Sequence, residues 1–182
     1  MTLLSDAMSV LALGLSFAVP AEPLPVAEKI VIVDEHTRAL VMAAMRVRSD
    51  ELSKDLFCSP GNDAYNVPSC RQVTDRLPTS EAAYRRALVD VGHPLTACEE
   101  TWVGYQSLKQ SAQLFRWMAS NHHPDRGLTR RAVEYLARAE EQSALARTRY
   151  QAFKHAGCVG MRPGGRHNVV PLRADDPLNE WN

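Results

Sequence analysis

The sequence predicts an all-α protein built of helical hairpins stapled by disulfides, with extended N- and C-terminal tails, and three observations carry that expectation. Thr96-Ala97-Cys98-Glu99 has the form of a capping box, in which a threonine hydroxyl and a glutamate carboxylate satisfy the open N–H groups of a helix start. Behind it Cys98, Trp102, Tyr105, Leu108, Ala112 and Phe115 recur at three- and four-residue steps. After a break over 122–128 that holds a Pro and a Gly, a second helical run extends from a cap at Thr129 to Gly157. Cysteines stand at the outer ends of both runs, Cys98 in the first turn of one and Cys158 just past the last turn of the other.

In chain order the first element is an N-terminal arm over 1–35. Its apolar run, Met8 to Val19, lacks the positive flank of a secretory signal, because no Lys or Arg precedes it and Asp6 does. The run is also shorter than the roughly 18 residues of a membrane span. The arm is therefore expected to stay on the protein, buried against a partner or lying at a membrane surface. Pro20, Pro23 and Pro25 make an extended linker, and Lys29 to Val33 reads as a short strand or an extended apolar arm.

A helical domain is expected over 36–158. Its first helix runs from about Thr37 to Phe57, with Leu40, Ala44, Val47, Leu52 and Leu56 broadly on helical spacing, and Cys58-Ser59-Pro60-Gly61-Asn62 ends it with turn chemistry. A loop carrying Pro68 and Cys70 follows. The next helix starts at Pro78-Thr79-Ser80-Glu81 and stops at Gly92 and Pro94. The third and fourth helices form the hairpin over 97–157, with Val133, Leu136, Ala137, Ala144 and Phe153 as the apolar positions of the fourth. From 159 to 182 lies an extended tail, in which Val170, Leu172 and Trp181, with Val169 and Leu178, are candidate anchors on a partner surface.

A short connection makes neighbouring helices antiparallel. At 1.5 Å per residue the two long helices span roughly 37 and 41 Å, so their open ends meet. That geometry brings Cys98 and Cys158 together from opposite ends of the hairpin sequence, and a bond between them is expected. Between Cys58 and Cys70 the chain is short and rich in turn formers, so direct pairing is feasible; the connectivity of these two stays open. Zinc is the competing use of four cysteines. It needs close pairs such as Cys-x-x-Cys, which are absent, and His122-His123 lie far from every Cys in the sequence. No metal or other cofactor is expected.

A net charge of zero over 182 residues supplies no basic footprint for nucleic acid. Only four of the 21 basic residues are Lys. Arginine's planar fork suits interface contacts to carboxylates and aromatic faces, although a GC-rich coding bias yields the same composition. No phosphate-cradling Gly-rich loop, Gly-x-Ser-x-Gly elbow or His-Glu-x-x-His helix occurs. Gly164-Gly165, between Arg162 and Arg166, lacks the following helix of a phosphate site and reads as a turn. Glu140-Glu141 sits on an arginine-bearing helix as a solvated face, and Asp175-Asp176 falls in the tail, so neither pair is placed for acid–base work. Cys98 shares its stripe with Trp102 and Tyr105, far from the electropositive setting of a nucleophilic cysteine. The chain is not expected to be an enzyme.

Two family resemblances bear on function. His123-Pro124-Asp125, in the loop between two antiparallel helices, is similar to the hallmark tripeptide of J-domain co-chaperones, with Phe115 and Met118 ahead of it at apolar positions of that family's second helix. The helix here carries only Lys109 and Arg116 where that family's is strongly basic, and Tyr84 with Leu88 lies too far upstream for its first-helix signature. This resemblance implies a J-like co-chaperone or helical adaptor.

The other resemblance covers residues 36 to 163. Cys58-Ser59-Pro60-Gly61-Asn62-Asp63-Ala64-Tyr65, the segment Thr101-Trp102-Val103-Gly104-Tyr105 through Leu114-Phe115-Arg116, and Arg149-Tyr150-Gln151-Ala152-Phe153 followed by Cys158 and Arg162-Pro163 are the stretches that carry it. With them the chain resembles the coiled-coil-helix-coiled-coil-helix proteins, in particular the accessory subunits of mitochondrial complex I that hold multiple Cys-x9-Cys pairs. The resemblance implies that Cys98 and Cys158 are the outer pair of the second hairpin. The inner pair, due near Tyr105 or Gln106 and Trp117 or Met118, is absent. Cys58 and Cys70 match the first cysteines of two separate pairs whose partners are missing, with Arg86 in one of the places. The function so implied is a structural accessory subunit bracing the intermembrane-space face of an inner-membrane respiratory complex, peripheral to the membrane, in contact with other subunits and without electron transfer of its own. A secreted or virion structural protein is the further alternative.

Overall fold

The computed structural model describes residues 29–62, 64–121, 129–164 and 169–172. Along the chain come β1 (Ile30–Ile32), α1 (Glu35–Cys58), α2 (Val67–Asp90), α3 (Ala97–Asn121), α4 (Arg130–His155), β2 (Val159–Pro163) and β3 (Val169–Pro171). The protein is mostly helical and carries two disulfides, as its sequence predicts.

Local polar groups start each helix. The Asp34 carboxylate accepts from the Thr37 N–H at 2.8 Å and opens α1. At α3 the capping box forms as read: the Thr96 N–H donates to Glu99 Oε2 at 2.9 Å, and the Glu99 N–H to Thr96 Oγ1 at 3.2 Å. The Thr129 hydroxyl accepts from the Ala132 N–H and opens α4. That helix ends where Gly157 takes φ +73°, and the Cys158 N–H returns to the Phe153 carbonyl at 3.1 Å.

The second helix begins earlier than its sequence suggests. Asn66 caps it by accepting from the Ser69 N–H, Pro68 occupies the first turn, and Pro78 sits inside the helix. The stretch around Cys70 is therefore the first turns of α2, and no separate loop exists there. Proline removes one helical hydrogen bond and crowds the preceding turn, a cost of about 3 kcal/mol in an isolated helix. Tertiary contacts on both sides of Pro78 offset it: Arg76 and Ser80 both reach the same carboxylate, Asp50 of α1.

The helices lie in the spatial order α2, α1, α3, α4, each packed on the next. One core cluster joins α1 to α2 and the first third of α3 through Leu40, Val41, Ala87 and Val103. A second joins the far ends of α1, α3 and α4 through Leu56, Phe115 and Tyr135. A third lies at the open end of the α3–α4 hairpin, where Trp102, Tyr105 and Phe153 surround the buried Cys98. All six stripe positions of α3, from Cys98 to Phe115, are buried.

The inward face of α4 differs from the expected one. Only Phe153 of the five anticipated positions is buried; Val133, Leu136, Ala137 and Ala144 are exposed. Facing inward instead are Ala132, Tyr135, Ala139, Gln142, Ser143 and Ala146. These side chains are mostly small, so the helices can approach closely, and the side-chain oxygens of Gln142 and Ser143 find partners across the interface, while the buried Gln142 Nε2 has none among the described residues. Gln142 Oε1 accepts from Arg48 Nε, and Ser143 Oγ accepts from Arg116 Nη2 at 2.6 Å.

A small sheet closes the hairpin end, in the order β1-β2-β3, with β1 parallel to β2 and β2 antiparallel to β3. Residues 159–163 and 169–171, expected as an extended tail awaiting a partner, thus pair within the chain. Residues 30–32, expected in the N-terminal arm, pair with residues 159–163 of the expected tail, so the sheet joins the segments on either side of the helical region 36–158. Leu172, expected as a partner anchor, packs instead on the third core cluster, and its N–H donates to the Gly160 carbonyl at 3.1 Å. The approach is close enough that a Cβ on Gly160 would meet Leu172 Cδ1 at 2.6 Å. The apolar arm Met8 to Val19 lies outside the described residues.

Tyr105 stacks on Tyr150 with ring centroids 4.9 Å apart. Burial holds its phenol protonated well above the usual tyrosine range, and the neighbouring Tyr150 acts in the same direction. The folded state thus keeps a proton that the unfolded chain releases near pH 10. Stability from this group is fully present below about pH 10 and falls as pH rises beyond it. Urea midpoints followed between pH 9 and 11.5 should therefore drop more steeply for the wild type than for Tyr105→Phe; parallel curves would assign alkaline loss elsewhere.

Candidate interaction surface

Each hairpin carries one staple. Cys98–Cys158 ties the first turn of α3 to the residue after α4, with Cα atoms 5.7 Å apart and both residues buried. Cys58–Cys70 ties the last residue of α1 to the first turn of α2 at 4.9 Å, which resolves the connectivity the sequence leaves open. It also departs from the family resemblance, which places these two cysteines in separate pairs. All four cysteines are bonded, so none is a free thiol for metal or catalysis.

The acid pairs fall as follows. Glu140 and Glu141 are exposed on α4, held by Arg147 at 3.3 Å and Arg138 at 3.1 Å, which is the solvated face expected of them. Asp175-Asp176, His123-Pro124-Asp125, Gly165, Arg166, Leu178 and Trp181 lie outside the described residues. Val170 stands at the sheet edge with about a third of its surface open, beside the more exposed Val169. Among the described residues no helix is long and apolar enough to cross a membrane.

Among the described residues two surfaces bear most on a partner. The first is the outer face of α4, where Val133 is 50% exposed and Leu136 40%, in line with exposed Ala137 and Ala144 at helical spacing. Residues three, four, seven and eleven apart share one side of a helix, so these four lie on one outward side of α4, with Glu140 of the Glu140–Arg147 pair between Ala137 and Ala144.

The second is a groove of about 690 Å³ floored by α1 and walled by α2 and α3. At its base Asp50 is 4% exposed. Its Oδ1 accepts from Arg76 Nε at 2.7 Å and also from Arg76 Nη2, and its Oδ2 accepts from the Ser80 hydroxyl at 2.6 Å. These partners compensate the burial of the carboxylate. On the opposite wall Leu114, Trp117 and Met118 present apolar surface, and the Trp117 ring is 63% exposed.

No protein-family model, curated protein or solved structure matches this chain.

Sequence reasoning missed both surfaces. Trp117 carried a usable signal: it lies two residues beyond Phe115, so it falls off the buried stripe of α3 and must point elsewhere. The Asp50–Arg76–Ser80 cluster carried none, because its members are 26 and 30 positions apart on two helices whose register only packing sets.

Proposed function

We propose that this protein is a structural, non-enzymatic subunit of a larger assembly in an oxidising compartment, docking a neighbouring subunit on the outer strip of α4. The observation that carries the reading is that strip. Val133 and Leu136 are large apolar side chains held on solvent while small residues take the inward positions of the same helix. Exposed apolar side chains on a rigid element are the ordinary material of subunit contacts. The two disulfides support the compartment, since such bonds persist where the surroundings are oxidising. On the coiled-coil-helix-coiled-coil-helix resemblance the compartment is the mitochondrial intermembrane space and the assembly a respiratory complex of the complex I kind. The outer pair Cys98–Cys158 fits that pattern and Cys58–Cys70 does not, so the respiratory identity rests on the second hairpin alone.

Native-gel migration of detergent extracts tests the reading. The wild type should run with a large assembly and co-purify with NADH dehydrogenase activity, whereas Val133→Glu combined with Leu136→Glu should run as a free chain with unchanged helix content. A wild-type chain that is monomeric in those extracts would sink the subunit reading. Co-migration with an assembly devoid of dehydrogenase activity would remove the respiratory identity only.

A further inference from the structure

We infer that the groove between α1, α2 and α3 is a binding site for an acidic oligosaccharide. Its volume, about 690 Å³, lies within the roughly 300–1,000 Å³ range of small-molecule sites. The floor runs along α1 from Met45 to Phe57, which at 1.5 Å per residue is about 18 Å, the length of a few linked sugar rings.

The two walls differ in chemistry. Along α2 and the floor lie hydroxyl, amide, carboxylate and guanidinium groups, including Ser53, Gln72, Arg76 and Thr79. Ser53 is 6% exposed, and its hydroxyl has no hydrogen-bond partner among the described residues. Asp50 accepts one residue's donors at each oxygen, and a carboxylate oxygen has room for more than one. Facing this wall is the exposed Trp117 ring. A pyranose ring has one apolar C–H face and a rim of hydroxyls, each both donor and acceptor, so it satisfies both walls together. An acyl chain would cover the Asp50–Arg76 pair and the Ser53 hydroxyl with hydrocarbon, leaving buried polar groups uncompensated.

The third feature selects charge. Arg46 lines the Met45 end of the groove and has no ion pair or hydrogen bond to any described residue, whereas Arg76 is neutralised by Asp50. Among the described residues the groove therefore carries one uncompensated positive charge, and a carboxylate on the sugar meets it in a charge-assisted hydrogen bond. A uronic-acid unit supplies that carboxylate.

Isothermal titration with trigalacturonic acid and with uncharged galactotriose tests the site. The acid should bind and the neutral sugar bind at least tenfold more weakly. Trp117→Ala should abolish both, while Arg46→Gln should bring the acid down to the affinity of the neutral sugar. Both positions are exposed, so circular dichroism and the melting midpoint should stay at wild-type values in each variant. The proposal fails if neither sugar binds at millimolar concentration, or if Trp117→Ala leaves binding unchanged. It fails equally if an acidic amphipathic helical peptide binds in a Trp117-dependent manner that trigalacturonic acid does not compete, since the groove then receives a protein partner.

Discussion

Replacing Cys98 and Cys158 together by alanine is expected to lower stability by about 4 kcal/mol, since the crosslink closes a 60-residue separation and so restricts the unfolded chain strongly. Alanine keeps the site apolar, which suits a position that is fully buried beside Trp102 and Val31. Against a typical total of about 5–15 kcal/mol this loss is large. The corresponding double alanine variant at Cys58 and Cys70 closes a separation of only 12 and should cost about 3 kcal/mol on the same chain-entropy argument. The check is a pair of urea unfolding curves under non-reducing conditions. Cys98–Cys158 removal should give the lower midpoint, and a reversed order would mean that the unfolded chain is not what these bonds mainly constrain.

A loss of similar size, about 3–5 kcal/mol, is expected for Trp102→Ala. The indole is 2% exposed and sits where helix and sheet meet, 5.3 Å from the Phe153 ring centroid and 5.7 Å from that of Tyr105. Its far edge would lie 3.5 Å from a Cβ built on Gly160 of β2. Removing it opens a cavity beneath β1 and β2, so amide exchange should speed up at Val31 and Val33 before it does so in α1 and α2. Trp102→Phe separates packing from polarity. The indole N–H is buried without a hydrogen-bond partner among the described residues, so phenylalanine keeps much of the ring contact and removes a group whose burial is unfavourable. Chemical denaturation should place Trp102→Phe within about 2 kcal/mol of wild type; a loss equal to that of alanine would show that the indole N–H has a partner after all.

The same residues show where sequence reasoning succeeds and where it stops. The α3 stripe was legible because Cys98, Trp102, Tyr105, Leu108, Ala112 and Phe115 are large or apolar and periodic, and every one is buried. On α4 the apolar residues were equally visible, yet most of them point outward. Periodicity names a face without saying which neighbour it meets. The close fit against α3 favoured alanines and serines, with Gln142 and Ser143 tied to arginines of other helices. Pro78 misled for a related reason. Its local cost argues for a helix start, and the long-range contacts of Arg76 and Ser80 with Asp50 outweigh that cost. Of the candidate sites, the staples were legible as positions, whereas the groove needed three helices to be placed first.

By itself the sequence determined the caps at Thr96 and Thr129, the stops at Gly92 and Gly157, and the meeting of Cys98 with Cys158. Each of these depends on backbone groups satisfied within a few residues or on the lengths of two antiparallel helices. Tertiary structure alone decided which side of α4 faces solvent, how α2 passes through Pro78, and that β1, β2 and β3 form one sheet across the hairpin end. Those outcomes depend on the distance at which two elements can approach and on partners far away in sequence. Local hydrogen bonding is written residue by residue, and close packing is settled only between surfaces.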